Sequence, residues 1–341
     1  MNAQDLYDLA NKIIAGHQIS PAEAQQIAQI PEADSSDLQA QAHRINQHFK
    51  GNTVHTCTIL NGKSGKCSED CGFCTQSISA NCEDVEYYPL MSPVEMQEAA
   101  QIAVDSGVDR FSVVTAGKGL STAQVQQVAD AFAGISAPGG MQGEIGEAKT
   151  RWCASLGIIP LEKMRLLKDA GVSRYHHNLE TARSHFGNVV STHSYDDRIA
   201  TIKAAHQAGM TVCAGGIFGL GESDAQAVEM ALELRDLQVE SVPLNFLLPA
   251  AGTKLAHIER LTPLRCLKLV AIYRMILPRA DILICGGRED NLQELHPLLL
   301  LSGANGIMTG NYLTREGRTL KQDKALLDAL QVKHGLKLNI N

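Results

Sequence analysis

The chain of 341 residues lacks an apolar run long enough to cross a bilayer, so no membrane-spanning helix is expected. It also lacks a surplus of positive charge. Lys and Arg number 30 against 37 Asp and Glu, a net charge of -7. A generic nucleic-acid-binding surface is basic, so no nucleic-acid partner is expected. The first residues, Met1-Asn2-Ala3-Gln4-Asp5, lack the basic stretch and apolar core of a secretory leader, and the expected location is cytoplasmic. Low-complexity segments are missing as well. Cysteine, by contrast, occurs nine times. In a reducing compartment, that number favours metal binding or redox work over a disulfide framework.

Three of the nine form the run C-x3-C-x2-C at Cys67, Cys71 and Cys74. Thiolates this close can take three corners of one iron–sulfur cluster, but not the fourth. The iron left without a protein ligand can bind a substrate or cofactor. Zinc asks for four protein ligands in two paired groups, and no second pair lies nearby. The run follows a β-branched stretch at 54–60 that reads as a strand, and Phe73 stands directly before the third cysteine. In this the segment resembles the cluster loop of the radical S-adenosylmethionine (SAM) superfamily. There the amine and carboxylate of SAM chelate the open iron.

Ahead of this loop the chain reads as helical. Ser20-Pro21-Ala22-Glu23 has the pattern of a capping box with proline at the first helical position. Leu38, Ala42, Ile45 and Phe49 recur at helical spacing. Beyond residue 54, short β-type runs alternate with amphipathic helices. Strands are expected at 54–60, 110–115, 151–156, 174–179, 211–217, 241–247, 281–285 and 306–309. Helices between them include 92–106, 160–170, 196–208, 223–237 and 263–276. Eight strands alternating with helices imply an α/β fold, a (β/α)8 TIM-type barrel. An open doubly wound sheet is the alternative. The expected organisation is an N-terminal helical segment at 1–50, the barrel at 51–313, and a tail with one short helix, near 322–334, at 314–341. A long Gly- and Pro-rich loop falls at 134–150.

The barrel reading gives other cysteines a common address. Inward side chains of such a barrel stack in layers drawn from alternate strands. Cys57 lies on the first strand, Cys153 on the third, Cys213 on the fifth and Cys285 on the seventh. Thiolates from four odd strands can converge on the axis as a cage for a second cluster. Buried free cysteine also occurs as a small apolar residue, which is the other reading of each one. Cys82 and Cys266 fit neither set.

Asn178 and Glu180 end the fourth strand, and Asn245 lies on the sixth, where each can hydrogen-bond a ureido or carboxylate group. A satisfied core amide is the alternative for both asparagines. The run Gly215-Gly216-Ile217-Phe218-Gly219-Leu220-Gly221-Glu222 lets backbone approach a ligand. Of His176 and His177, one is expected to face inward and the other outward.

With these segments assembled, the chain from about 54 to 313 resembles the biotin synthase family. The resemblance is carried by Gly65 to Cys74, His177-Asn178-Leu179-Glu180-Thr181, Val212 to Glu222, Ser241-Val242-Pro243-Leu244-Asn245 and Gly286-Gly287-Arg288-Glu289. It implies a 4Fe–4S cluster on Cys67, Cys71 and Cys74 that binds SAM. It implies SAM contacts at Glu180, Arg198, Gly216 and Phe73, and substrate contacts at Asn178 and Asn245. The implied reaction inserts sulfur into dethiobiotin to close the thiophane ring of biotin. Implied partners are an electron donor such as flavodoxin or ferredoxin, iron–sulfur assembly machinery, and a second copy in a homodimer.

Departures from the family are equally informative. Familiar members hold a 2Fe–2S cluster with three cysteines and one arginine. By the resemblance, Cys153 and Cys213 match two of those cysteines, but the third falls on Ser112 and the arginine on Leu283. Cys285 lies two residues past Leu283, on the same strand face. Cys57 stands where the family has another small polar residue. The expectation is an auxiliary cluster, 2Fe–2S or 4Fe-type, held by Cys153, Cys213, Cys285 and Cys57. Radical SAM enzymes that insert no sulfur share the barrel and the triad, and this second cysteine layer, with Asn178 and Asn245, is what separates the two readings in favour of sulfur insertion.

Overall fold

Nine strand segments occupy eight positions around one parallel barrel. The structure is a computed structural model and describes residues 1–65, 67–83, 85–135 and 150–337. The strands are β1 (His55–Lys63), β2 (Arg110–Thr115), β3 (Arg151–Ser155), β4 (Arg174–His176), β5 (Thr211–Cys213), β6 (Gly216–Phe218), β7 (Ser241–Phe246), β8 (Asp281–Ile284) and β9 (Gly306–Met308). Their order in the sheet is β5-β4-β3-β2-β1-β9-β8-β7-β6, and pairing of Cys213 on β5 with Ser241 on β7 closes the ring.

The fifth barrel position differs from the continuous strand expected at 211–217. It is two short segments, because Gly215 passes against the neighbouring strand: a Cβ there would lie 2.0 Å from the Pro243 carbonyl oxygen. The fourth strand ends at His176, short of the expected 179. Residues 136–149 of the expected long loop lie outside the described residues.

Helices form where the sequence caps them. Ser20 Oγ accepts from Glu23 N at 3.2 Å, and the helix Pro21–Ala28 follows. The same reciprocal cap opens Pro93–Asp105, Tyr195–Gln207 and Asp224–Asp236. The last helix, Leu320–Ala329, starts two residues before its expected place, at the cap Thr319. Among the described residues no helix is long and apolar enough to cross a membrane.

Strand alternation sorts side chains onto two faces. Phe111, Val113, Ala154, Tyr175, Val212, Val242 and Ile282 are buried on the outer face, against the helices. Burial of each large apolar side chain there contributes about 1.5–3 kcal/mol. The inner face has its own small cluster, Cys57, Leu283, Cys285 and Met308 with Ile59 and Tyr312. The helix Ser36–Lys50 docks at the start of β8, where Lys50 Nζ meets Asp281 Oδ1 at 2.9 Å. The barrel is thereby held at its N-terminal end and free to carry chemistry at the other.

Candidate active site

The inward side chains surround a cavity of about 490 Å³. The loop after β1 brings Cys67, Cys71 and Cys74 to it together with Glu69, Phe73 and Gln76. The acidic residues inside the motif anchor this loop. The Asp70 carboxylate accepts from Ser191 N at 2.9 Å and Thr192 N at 3.2 Å, and pairs with Lys254 at 3.2 Å. Burial acts to raise the Asp70 carboxyl, but these donors outweigh it and hold the group well below the usual carboxylate range. Glu69 accepts from Thr192 Oγ1 at 2.7 Å and pairs with His193 Nδ1. Gln76 closes the loop, its side-chain oxygen accepting from Gly65 N at 2.6 Å and its carbonyl from Cys67 N at 3.3 Å. Burial pushes the Cys71 thiol up to about 12 and that of Cys74 up to about 11. Metal binding at this loop must therefore displace protons.

Next to the triad lies a polar group carried by the turn after β4. Glu180 has a left-handed backbone, φ 69°, uncommon for a residue with a side chain and typical of functional sites. Arg198 Nη1 donates to the Asn178 carbonyl at 2.9 Å and to Glu180 Oε1 at 3.4 Å. Burial raises the Glu180 carboxyl, against the pull of Arg198 and Asn178. Asn178 Oδ1 accepts from Gly215 N at 3.2 Å, and its amide donates to Glu180 Oε2 at 3.3 Å. Asn245 Nδ2 donates to the Gly216 carbonyl at 3.1 Å, and its Oδ1 accepts from Gly286 N at 2.9 Å. Both amides border the cavity with their orientation fixed by backbone. Gly216 packs differently: a Cβ there would lie 2.4 Å from the Glu180 carbonyl oxygen, so its lack of a side chain lets Glu180 sit where it does.

Deeper in, Cys57, Cys213 and Cys285 border the same cavity, and Cys153 is wholly buried beside them. Their mutual influence marks their closeness. Burial first, then the charges of Cys153, Cys285 and Cys213, push Cys57 well above the usual thiol range. Burial pushes Cys213 up to about 11. Cys153 runs the other way: burial raises it, but His176, Arg110 and Arg174 outweigh that and bring it down to about 6. Leu283 is on the inner face beside Cys285, and Ser112 pairs in register with Cys153, its hydroxyl buried without a hydrogen-bond partner. Cys266 is buried in the helix Pro263–Ile276, and Cys82 lies on a loop.

Sequence reasoning passed over several neighbours. Arg110 and Arg174 face inward beneath the cysteines. Both His176 and His177 border the cavity, and the His177 ring also stacks on that of Tyr175, an outer-face side chain, with centroids 6.4 Å apart. Period-two alternation was signal enough for Arg110, two residues before Ser112. No pattern pointed to His193, which is fixed by Glu69 from 124 residues away.

Among the described residues no three His, Cys, Asp or Glu side chains close in to the distances of a single metal ion. The soft donors of both thiol sets are those that iron–sulfur clusters take.

A parallel barrel with an open-cornered cysteine triad at its mouth defines a radical SAM enzyme. A model described as the Radical SAM superfamily matches residues 63–234, and one for the Biotin and Thiamin Synthesis associated domain matches 243–333. Methylornithine synthase has the same fold, with TM-score 0.77 at 19% identity over 96% of this chain and 97% of that one. So does HydG, a maturase of the FeFe-hydrogenase, with TM-score 0.78 at 18% identity over 96% and 74%. Two sequences called biotin synthase match far more closely. The one from Desulfatibacillum aliphaticivorans is 47% identical, covering 97% of each chain. The one from Geobacter sulfurreducens is 43% identical, covering 94% of each. The chain belongs to the biotin synthase family, and its activity is that of the family, a radical SAM sulfurtransferase that works with a 4Fe–4S cluster, SAM and an auxiliary iron–sulfur cluster.

Proposed function

We propose that this enzyme inserts sulfur into dethiobiotin and that Cys57, Cys153, Cys213 and Cys285 hold the cluster from which the sulfur comes. The observation that carries this reading is one cavity bordered by the triad on one side and by Cys57, Cys213 and Cys285 on the other. When bound, SAM on the triad's cluster supplies a 5′-deoxyadenosyl radical, and the auxiliary cluster supplies sulfur.

The chain's part is positioning and exclusion of water. Cys67, Cys71 and Cys74 would hold the SAM-binding cluster and leave one iron without a protein ligand. Phe73 packs beside them. Glu180 takes the SAM ribose, oriented by Arg198, with Gly216 leaving room for its backbone. Asn178 and Asn245 present amide edges to the ureido ring, each already fixed through one donor and one acceptor contact and retaining a free N–H and a free lone pair. Four thiols from four barrel positions exceed the three cysteines of the familiar 2Fe–2S site, and they accommodate a 4Fe-type cluster. A reduced flavodoxin or ferredoxin, iron–sulfur assembly factors, a homodimer and the cytoplasm complete the reading.

The test is anaerobic reconstitution followed by iron analysis and Mössbauer spectroscopy. The reading expects two clusters per chain and biotin formed from dethiobiotin, SAM and reductant. Unchanged iron content in Cys153→Ala and Cys285→Ala would refute the auxiliary-cluster assignment. Formation of 5′-deoxyadenosine without biotin would favour a branch that inserts no sulfur.

A further inference from the structure

The barrel floor carries more positive charge than its carboxylate neutralises. Arg110 opens β2 and Arg174 opens β4, and both are buried, 8% and 5% exposed. Arg174 donates to Thr211 Oγ1 at 3.1 Å and reaches Asp281 only at 3.9 Å. That carboxylate is already held by Lys50 at 2.9 Å. Among the described residues Arg110 makes no ion pair with a carboxylate; its polar partners are Cys153 Sγ at 3.7 Å and Ser173 Oγ at 3.4 Å. Lys50 and Arg174 thus share one carboxylate, and Arg110 has none.

A guanidinium stays charged at any pH a protein tolerates, and a buried one needs an anion. The strand register supplies candidates. Cys57 sits directly across from Arg110, and Cys153 directly across from Arg174. Thiols are the groups these arginines face, and thiols become anions when they bind iron. By the resemblance an arginine ligates the familiar cluster, so the lysine variants below separate the two roles: an ammonium keeps the charge but has no lone pair to give.

We propose that Arg110 and Arg174 are the counter-charge of the auxiliary cluster: they offset the negative charge of the metal-bound thiolates in a dry barrel and raise the cluster's reduction potential, without ligating iron. The inference rests on the assignment of that cluster to Cys57, Cys153, Cys213 and Cys285. Net charge and hydrogen bonds to sulfur are established controls of cluster potential, and this pair supplies both.

The experiment uses the full chain with the triad removed (Cys67→Ala, Cys71→Ala, Cys74→Ala), so that the auxiliary cluster is alone. Arg110→Gln, Arg110→Lys, Arg174→Gln and Arg174→Lys are each reconstituted anaerobically. Iron per chain, Mössbauer parameters and midpoint potential are read. The glutamine variants are expected to move the potential to more negative values, and the lysine variants to restore most of the shift. Glutamine variants with the iron content and potential of the parent overturn the proposal. Where a glutamine variant takes up no iron, its lysine counterpart decides. Iron regained at a parent-like potential supports the charge role; an equally empty site overturns it. A parent that takes up no iron fails the cluster assignment itself, an outcome distinct from a loaded parent with an unmoved potential.

Discussion

The two thiol sets face one cavity but are built in opposite ways. The triad is local: three cysteines in eight residues, on a loop, each partly exposed. The second set is distributed: Cys57, Cys153, Cys213 and Cys285 come from four strand positions across 229 positions of sequence, and all are buried. A loop site is held by hydrogen bonds that its own acidic residues accept from a distant segment. A barrel site is held by strand register, so its geometry is as rigid as the sheet. The difference fits the division of work proposed above: a loop can admit and release SAM, whereas a sulfur source has to be kept dry and fixed.

The sharpest break between the two sets is a pair of single substitutions. Cys71→Ala takes one corner from the open-iron site, and 5′-deoxyadenosine formation is expected to fall to background. Cys285→Ala leaves that loop intact, so 5′-deoxyadenosine still forms while biotin is lost. Chromatography of both products after one anaerobic incubation reads the two outcomes together. Biotin made at the parent rate by Cys285→Ala would remove the second set from the reaction.

The loop's dependence on remote hydrogen bonds is the next point of attack. Asp70→Ala leaves Ser191 N and Thr192 N without their acceptor and frees Lys254. Removal of such a support around a metal site costs roughly 10–100-fold in metal affinity. Iron retention on the triad under a chelator is expected to drop by about that factor. The barrel set, reached by no contact from Asp70, is expected to keep its iron. Equal loss from both sites would mean the sets are not independent.

These contrasts also explain what could be read from the sequence. The triad was legible because its geometry is written into eight consecutive residues. The second set was legible only through the barrel: strand parity put Cys57, Cys153, Cys213 and Cys285 on one inner face, and the alternation of inner and outer residues agrees with that. The same rule, applied to Arg110, would have found a basic floor. What lay beyond reach depended on local backbone. The break at Gly215 and the left-handed turn at Glu180 end two strands early. The glycine run suggested a ligand cradle, whereas Gly216 makes its tightest contact with protein backbone. Gly216→Ala places a methyl group 2.4 Å from the Glu180 carbonyl oxygen. Overpacking of this kind costs about 1–3 kcal/mol. A lowered unfolding midpoint with a raised KM for SAM is expected. An unchanged KM would separate Glu180 from SAM binding.

The smallest effect tests whether the barrel floor is a stabilising feature in its own right. Burial acts to raise Asp281, but Lys50, His55 and Asn305 outweigh it and bring its pKa down to about 2, from an ordinary 3.8. A carboxyl depressed in the folded state contributes stability that is full above its unfolded pKa. That contribution is lost as pH falls from about 4 through about 2. Here it is on the order of 1–2 kcal/mol, allowing for partial screening around Lys50. Urea unfolding of cluster-free protein is expected to show the parent losing stability over that window. Asp281→Asn should lose less, since an amide does not titrate. The triad loop offers the control, because Asp70 is also depressed but has no contact with the floor. If Asp281→Asn and the parent follow parallel curves while Asp70→Asn flattens its own, the acid sensitivity of this enzyme belongs to its mouth and not to its floor.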